Sequence, residues 1–260
     1  MFALALMLIS PQAHALSCEE GPVAYLPDNS ATDVPVTVIP VVESVFTAPS
    51  TYEVALREAE GDIVATDIVD IEVGGDLFRQ LVPWQVLDSN TTYELYSAEG
   101  DWVMSSFTTG IAEDVDAPGA VSISSISGEH HKGEWGPSTL LSLTIDSTDA
   151  DGDVYFELEI TADDSIDTVY QMGSQGTFGG GPCLSNFTGL TTGATVEVRA
   201  RAIDTSGNVG DWSDPSFATI VDTTSVDEED NHVGCSVAPA GALGVGWLLA
   251  LAGIAARRRL

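Results

Sequence analysis

Much of the chain alternates between apolar and polar side chains with a period of two residues. In the first half, Tyr52, Val54 and Leu56 alternate with polar neighbours, and so do Val69, Ile71 and Val73. In the second half the same alternation covers residues 141–146 and 154–161, where Val154, Phe156, Leu158 and Ile160 face one side. Each run predicts a β-strand that is buried on one face and exposed on the other.

Turn sequences interrupt these runs at short intervals, and no part of residues 16–232 shows a sustained helical period. Glu60-Gly61-Asp62, Gly74-Gly75-Asp76 and Ser206-Gly207-Asn208 are typical turn compositions. Short strands separated by such turns favour antiparallel β-sandwiches, and the length allows two domains of about 100 residues each. The predicted fold class is therefore all-β, with two tandem sandwiches.

A weak internal repeat supports two related units. Residues 87–95 are mirrored by residues 190–198, and each copy leads through a glycine turn to a Trp and a Phe. Leu87 and Tyr93 have the spacing of a tyrosine corner, in which the hydroxyl anchors a crossing loop. The second copy has Val196 at the tyrosine position, so we expect packing alone to hold that corner.

Two family resemblances follow from these residues. Residues 27–110, from the Pro27-Asp28-Asn29 stretch to Thr109-Gly110, resemble bacterial Ig-like domains. Residues 118–222 resemble a fibronectin type III domain, mainly in residues 196–204 and in Trp212-Ser213, although no Trp follows the strand at 141–145. The resemblance implies two sandwiches joined by a linker at 111–117 and preceded by a short stub at 16–26. Such folds host many functions and imply no particular activity.

The N-terminus has the features of an export signal. An apolar run at residues 2–9 precedes Ala13-His14-Ala15, a small-x-small cleavage pattern, so residues 1–15 are predicted to be a signal peptide. The run is too short to span a bilayer. A lipoprotein cleavage box ending at Cys18 is the alternative, but Leu16 stands second before the cysteine where third is usual.

The C-terminus predicts a membrane span. Residues 237–256 are uncharged, and about 20 such residues just cross a hydrocarbon core. Arg257, Arg258 and Arg259 follow directly and should stay cytoplasmic, which places everything before the span outside. The acidic linker at 223–232 should be extended by self-repulsion. A buried helix of a soluble domain is the competing interpretation of the apolar segment.

The order of Cys235, the apolar helix and the terminal arginines resembles the tripartite MYXO-CTERM sorting signal, here covering residues 233–260. The resemblance implies that the helix is a temporary anchor, that a sorting protease cuts near Cys235, and that this cysteine is processed or lipidated. A permanent transmembrane anchor with an incidental cysteine is the alternative.

The charge balance narrows the classes of partner. The 260 residues include 40 Asp and Glu against 8 Lys and Arg, which gives a net charge of −32. We do not expect nucleic-acid binding, because contacts to phosphates need clustered basic side chains. Cations are the favoured counterparts of such a surface.

Candidate metal chemistry is confined to one acidic turn. Asp149, Asp151 and Asp153 stand at alternate positions, a spacing that can converge on calcium. The EF-hand pattern fails because Gly152 is fourth in the loop and not sixth. A calcium site completed by another loop is one prediction, and a solvated acidic turn is the other. No further cofactor is expected.

Two other groups of residues are candidates for chemistry. His130-His131-Lys132 has no third ligand or nucleophile at a characteristic spacing, and we expect it to lie in a solvent-facing loop. With Cys235 assigned to sorting, export would permit a disulfide between Cys18 and Cys183.

These observations predict a non-enzymatic protein anchored at the cell surface or outer envelope, which displays two sandwiches for adhesion, for binding or as a spacer. Its expected partners are the envelope membrane, a sorting protease, and an extracellular protein or polysaccharide. The alternative is a surface polysaccharide-binding accessory module, which predicts exposed aromatics on one face, with Trp84, Trp102 and Trp135 as candidates.

Overall fold

The computed structural model describes residues 24–44, 54–59, 61–73, 76–97, 102–133, 136–148, 153–163, 165–181 and 190–223. Within these ranges the chain forms β-strands and no helix. The strands are β1 (Ala24–Leu26), β2 (Ala31–Val34), β3 (Val41–Ser44), β4 (Val54–Glu58), β5 (Thr66–Val73), β6 (Asp76–Pro83), β7 (Thr92–Ser97), β8 (Trp102–Thr109), β9 (Val121–Gly133), β10 (Gly136–Ser147), β11 (Val154–Ala162), β12 (Ser165–Met172), β13 (Gln175–Gly180), β14 (Thr195–Asp204) and β15 (Ser216–Asp222).

The first sandwich consists of two four-stranded sheets. Their orders are β1-β3-β6-β5 and β2-β8-β7-β4. If β1 and β2 are two parts of strand A and the later strands are lettered in turn, the sheets are A-B-E-D and A′-G-F-C. This is the strand order of an immunoglobulin-like sandwich, with strand A divided between the sheets. β2 pairs with β8 in parallel, and the pairs within the other sheet are antiparallel.

The interior of the first sandwich is formed by the inward-facing positions of both sheets. Val38, Leu56, Leu81 and Leu95 are fully buried there. Tyr93 stacks on Phe107 with ring centroids 5.9 Å apart. The β1 strand belongs to this sandwich through its pairing with β3, so Ala24–Leu26 contribute to the first domain.

The second sandwich has a different distribution of strands. Its seven strands follow the order β12-β11-β14-β15-β9-β10-β13. β9, β10 and β13 form one face, and β12, β11, β14 and β15 form the other. The end of β15 pairs in parallel with β9 and so connects the two faces. The fourth strand, β12, lies beside β11. In the ABED sheet of a constant-type immunoglobulin domain, the fourth strand would instead lie beside the fifth, which here is β13.

The predicted alternation of the second half is confirmed for β10 and partly for β11. Leu141, Leu143 and Ile145 are buried in the second core, as are Phe156 and Leu158. However, Tyr155 on the opposite face of β11 is buried as well. The expectation that this strand has one exposed face is therefore wrong at its start, because the first sandwich covers that face.

The alternation in β5 also has a different cause from the predicted one. Val69 and Ile71 share a face with Gln80 and Phe78 of β6, whereas Leu81 points into the first core from the opposite face. Val69 is exposed, and Ile71 packs against residues between the two sandwiches. The apolar face of this edge strand thus points away from the interior of its own sandwich.

The predicted signal peptide and the sorting signal at 233–260 lie outside the described residues. Among the residues that the structure does describe, there is no apolar helix of membrane-spanning length.

Candidate binding surface

The predicted calcium ligands are only partly covered by the structure. Asp149 and Asp151 lie outside the described residues, and Asp153 is half-buried just before β11. Across the described ranges, no three His, Cys, Asp or Glu side chains are grouped as a metal site would require. The calcium site therefore stays a prediction.

The cysteines and the terminal arginines also lie outside the described residues. They are Cys18, Cys183, Cys235, Arg257, Arg258 and Arg259. The disulfide and the processing of Cys235 remain predictions.

The histidine pair lies in a strand, so the expectation of a solvent-facing loop is wrong. His130 and His131 belong to β9 and are half-buried. His130 Nδ1 lies 2.8 Å from Thr139 Oγ1 of β10. Pairing of β9 with both β10 and β15 extends the strand through these residues, because each neighbour supplies backbone partners.

His131 also joins a chain of polar groups that has the order of a nucleophile, a base and a carboxylate. Its Nδ1 lies 2.7 Å from Thr223 Oγ1, and its Nε2 lies 2.9 Å from Glu129 Oε2. Thr223 Oγ1 also lies 3.0 Å from the His130 carbonyl, which accepts a hydrogen bond from the Thr223 amide as well. These contacts tie the residue that follows β15 to β9.

The sequence did not predict the apolar joint between the sandwiches. Leu26, Val41 and Phe78 of the first sandwich pack against Tyr155 and Ile203 of the second. The Phe78 ring lies 5.0 Å from that of Tyr155, a distance typical of favourable aromatic pairs. The signal was present in the sequence, since Tyr155 and Phe156 are adjacent large apolar residues that must point to opposite faces of β11.

Hydrogen bonds surround this apolar joint. Gln80 Nε2 donates to the Tyr155 hydroxyl at 2.8 Å, and the Met172 amide donates to Glu43 Oε2 at 3.1 Å. Burial raises the pKa of Tyr155, so its hydroxyl stays neutral well beyond the usual range. These contacts join β3 and β6 of the first sandwich to β11 and β12 of the second.

The β14–β15 turn contacts the first sandwich at the other side of the joint. The Ile39 amide donates to the Thr205 carbonyl, and the hydroxyls of Thr37 and Ser206 lie 2.9 Å apart. Val41 packs in the same cluster as Tyr155, and Glu43 accepts from the Met172 amide, so residues 37–43 contact the segment after β14, then β11 and then β12.

Asp204 shapes this turn. Its carboxylate accepts hydrogen bonds from the amides of Ser206 and Asn208 at 2.8 and 2.9 Å, and from Asn208 Nδ2 at 2.9 Å. The side chain of Asn208 also donates to the carbonyl of Asp114 in the linker, at 3.3 Å. Burial raises the pKa of Asp204, and the hydrogen bonds oppose this shift.

A ladder of ion pairs lies on the outer face of the second sandwich, next to the joint. Arg201 pairs with Glu157 at 2.7 Å, and Arg199 pairs with Glu159 at 2.8 Å. The Trp212 ring stacks on both guanidinium groups, at 4.5 Å from Arg201 and 4.8 Å from Arg199. The ladder satisfies the charges of these arginines within the protein, so they are not available as a binding patch for anions.

A cavity of about 480 Å³ opens beside β1 where it meets the second sandwich. Its lining is mainly apolar and includes Tyr25, Leu26, Phe156 and Met172, and the carboxylate of Asp28 also lines it. The described residues of its lining include no His and no Cys.

The predicted aromatic platform is not formed by Trp84 and Trp102, the two of its three candidates that the structure describes. Trp84 is 67% exposed and Trp102 is 46% exposed. Trp84 follows β6 in one sheet of the first sandwich, whereas Trp102 begins β8 in the other sheet, at the opposite end of the strands. Trp135 lies outside the described residues, and the polysaccharide-binding alternative stays a prediction.

Trp84 stands beside the open edge of a sheet, which the sequence did not indicate. Its indole N–H donates to Asp67 Oδ1 of β5 at 2.9 Å, and its amide donates to the Ala65 carbonyl at 3.0 Å. Among the strands that the structure describes, β5 is the last of its sheet. Alternation could predict the strand but not its position at an edge, because position depends on pairing between distant segments.

No protein-family model matches the chain, and no curated protein matches it. Among solved structures it is similar to the chicken CNTN1 FN1–FN3 domains, with 11% identity, a TM-score of 0.29, and coverage of 78% of this chain and 66% of that one. Titin domains A168–A170 are 15% identical, with a TM-score of 0.26, and the match covers 78% of this chain and 67% of the titin chain. The tandem Ig repeats of Dlar are 11% identical, with a TM-score of 0.25 and coverage of 77% and 98%.

The strand orders of the two sandwiches define their fold class. The described residues form two Ig- and fibronectin-like β-sandwiches in tandem.

Proposed function

We propose that this chain is an exported, non-enzymatic protein that displays two docked β-sandwiches at the cell surface for binding or as a spacer. The observation that carries the proposal is the apolar joint around Phe78 and Tyr155. A buried joint holds two domains in one orientation, whereas domains without one move freely about their linker. A protein that presents or separates partners benefits from such a fixed body.

Anchoring belongs to the same proposal. Residues 1–15 direct export, the two sandwiches form the displayed domains, and the acidic linker at 223–232 holds them away from the envelope. The span at 237–256 anchors the chain until a sorting protease cuts near Cys235, which is then modified. Arg257–Arg259 fix the orientation of the span.

Mass spectrometry of the surface-extracted protein tests this anchoring. We expect a mature N-terminus at residue 16 and a C-terminal peptide that ends near a modified Cys235. A peptide that ends in Leu260 would rule out processing. Full-length protein recovered from the cytoplasmic fraction would contradict export itself.

The predicted calcium site and the predicted disulfide can each be measured directly. Calorimetric titration with calcium should give heat at millimolar concentration if Asp149, Asp151 and Asp153 bind the ion, and its absence would dispose of the site. Counting free thiols in the exported form tests the disulfide between Cys18 and Cys183, since two free thiols at these positions would exclude it.

A further inference from the structure

The edge strand β5 offers an open backbone ladder. It has one hydrogen-bonded neighbour among the described strands, β6, and it is eight residues long. Its β-branched side chains reach solvent on both faces, with Ile68 52% and Val69 42% exposed. Long, regular edges with exposed β-branched residues readily accept another extended strand.

Trp84 gives this edge a fixed aromatic surface. Asp67 binds the indole N–H at 2.9 Å and thereby orients the ring beside the edge. The ring nevertheless remains 67% exposed, so one side chain offers both an aromatic face and a neighbouring carboxylate. A cation placed over such a ring interacts favourably with its face.

The charges of the protein determine which sign of charge a partner must carry. The four arginines of the described residues are each paired with a carboxylate, namely Arg57 with Glu94, Arg79 with Asp70, Arg199 with Glu159 and Arg201 with Glu157. The chain as a whole carries −32. Its field therefore attracts cationic segments and repels anionic ones.

We propose that the open edge of β5, together with Trp84 and Asp67, binds an extended cationic peptide segment as an additional strand. Backbone hydrogen bonds along β5 supply the affinity, and a Lys or Arg of the peptide lies over Trp84 next to Asp67. This inference rests on the binding role proposed above, but it is independent of export and of processing at Cys235.

A second copy of this chain is the less favourable occupant. Two molecules that each carry −32 repel one another, and Asp67 would face the acidic side chains of the partner's edge. An uncharged oligosaccharide could stack on Trp84, but it would make no use of the backbone ladder or of the charge.

The test is a titration of the full chain with a ten-residue peptide that alternates lysine and valine. A peptide with glutamate in place of lysine controls for charge, and a lysine–valine peptide with N-methylated backbone amides controls for strand pairing. We expect binding of the first peptide alone, weakened by added salt because the charges are screened. Equal binding of either control peptide would overturn the proposal.

Three variants locate the site. Trp84→Ala should weaken binding by about two- to fivefold, which corresponds to the loss of one exposed cation–π contact. Asp67→Asn should weaken it to a similar extent, and Val69→Lys should weaken it by at least about tenfold because a lysine on the edge repels the peptide. All three positions are exposed, so the variants should fold, and circular dichroism checks this.

Trp102→Ala is the matched control, because Trp102 is also exposed but lies at the other end of the first sandwich. It should leave peptide affinity unchanged. Three outcomes would contradict the proposed site: binding that Trp84→Ala and Val69→Lys leave intact, self-association through β5 in sedimentation, or binding at Trp84 of a neutral oligosaccharide but not of the peptide. None of these depends on where the protein resides in the cell, so the proposed display is tested separately.

Discussion

Tyr93 connects the loop before β7 to the core of the first sandwich. Its hydroxyl accepts a hydrogen bond from the Asp88 amide at 2.9 Å, five residues upstream. This is the tyrosine corner that the spacing of Leu87 and Tyr93 predicted. In the second sandwich, Val196 occupies the equivalent position and is fully buried, which agrees with a corner held by packing.

Tyr93→Phe should lower the free energy of unfolding by about 0.5–1.5 kcal/mol, because the Asp88 amide loses its acceptor. Ser89→Ala in the same loop is the matched control, since its side chain is exposed. Denaturant titration measures both. An unchanged midpoint for Tyr93→Phe would show that the hydroxyl does not anchor the corner.

Asp204 provides a pH-dependent test of the turn at the joint. Burial raises its pKa above the ordinary 3.8, so the folded protein keeps this proton at pH values where the unfolded chain has released it. The associated stability is fully present below about pH 3.8 and is lost as pH rises through the folded pKa.

The difference in unfolding free energy between the native protein and Asp204→Asn should therefore decrease as pH rises through this window and then level off. Denaturant titrations at a series of pH values between about 3 and 7 measure it. An increase of that difference with pH would mean that the hydrogen bonds from Ser206 and Asn208 outweigh the burial of the carboxylate.

At the scale of elements, alternation located strands but not their neighbours. The buried face of β10 could be predicted because Leu141, Leu143 and Ile145 have a single environment, the core of their own sandwich. For β11, periodicity correctly assigns Phe156 and Leu158 to the core of the second sandwich. It cannot indicate that the first sandwich covers Tyr155 on the opposite face. Likewise, the hydrogen bond from Trp84 to Asp67 links the residue after β6 to β5, and periodicity within one strand contains no information about such a contact.

The ladder around Trp212 predicts a contrast between two tryptophans. Trp212→Ala removes two cation–π contacts and should reduce the free energy of unfolding by about 1–2 kcal/mol. Trp84→Ala should change it by less than about 0.5 kcal/mol, because that ring is mostly exposed. Denaturant titration compares them, and equal effects would show that the stacking on Arg199 and Arg201 does not stabilise the sheet.

At the scale of the whole molecule, the charge of −32 should make stability depend on salt. The described arginines are already paired, so most carboxylates repel one another without a counter-charge nearby. Added sodium chloride shortens the screening length from about 30 Å at 0.01 M to about 3 Å at 1 M. We expect the melting temperature to rise with salt in calorimetry, whereas a fall would mean that the surface ion pairs dominate.

We expect the joint around Phe78 and Tyr155 to hold the two sandwiches as one rigid body. Residual dipolar couplings of backbone amides in the full chain measure this, because they report the orientation of each sandwich in the same sample. We expect the couplings of residues 24–109 and 121–222 to fit a single alignment tensor. Two unrelated tensors would show that the sandwiches reorient independently, and would contradict this expectation.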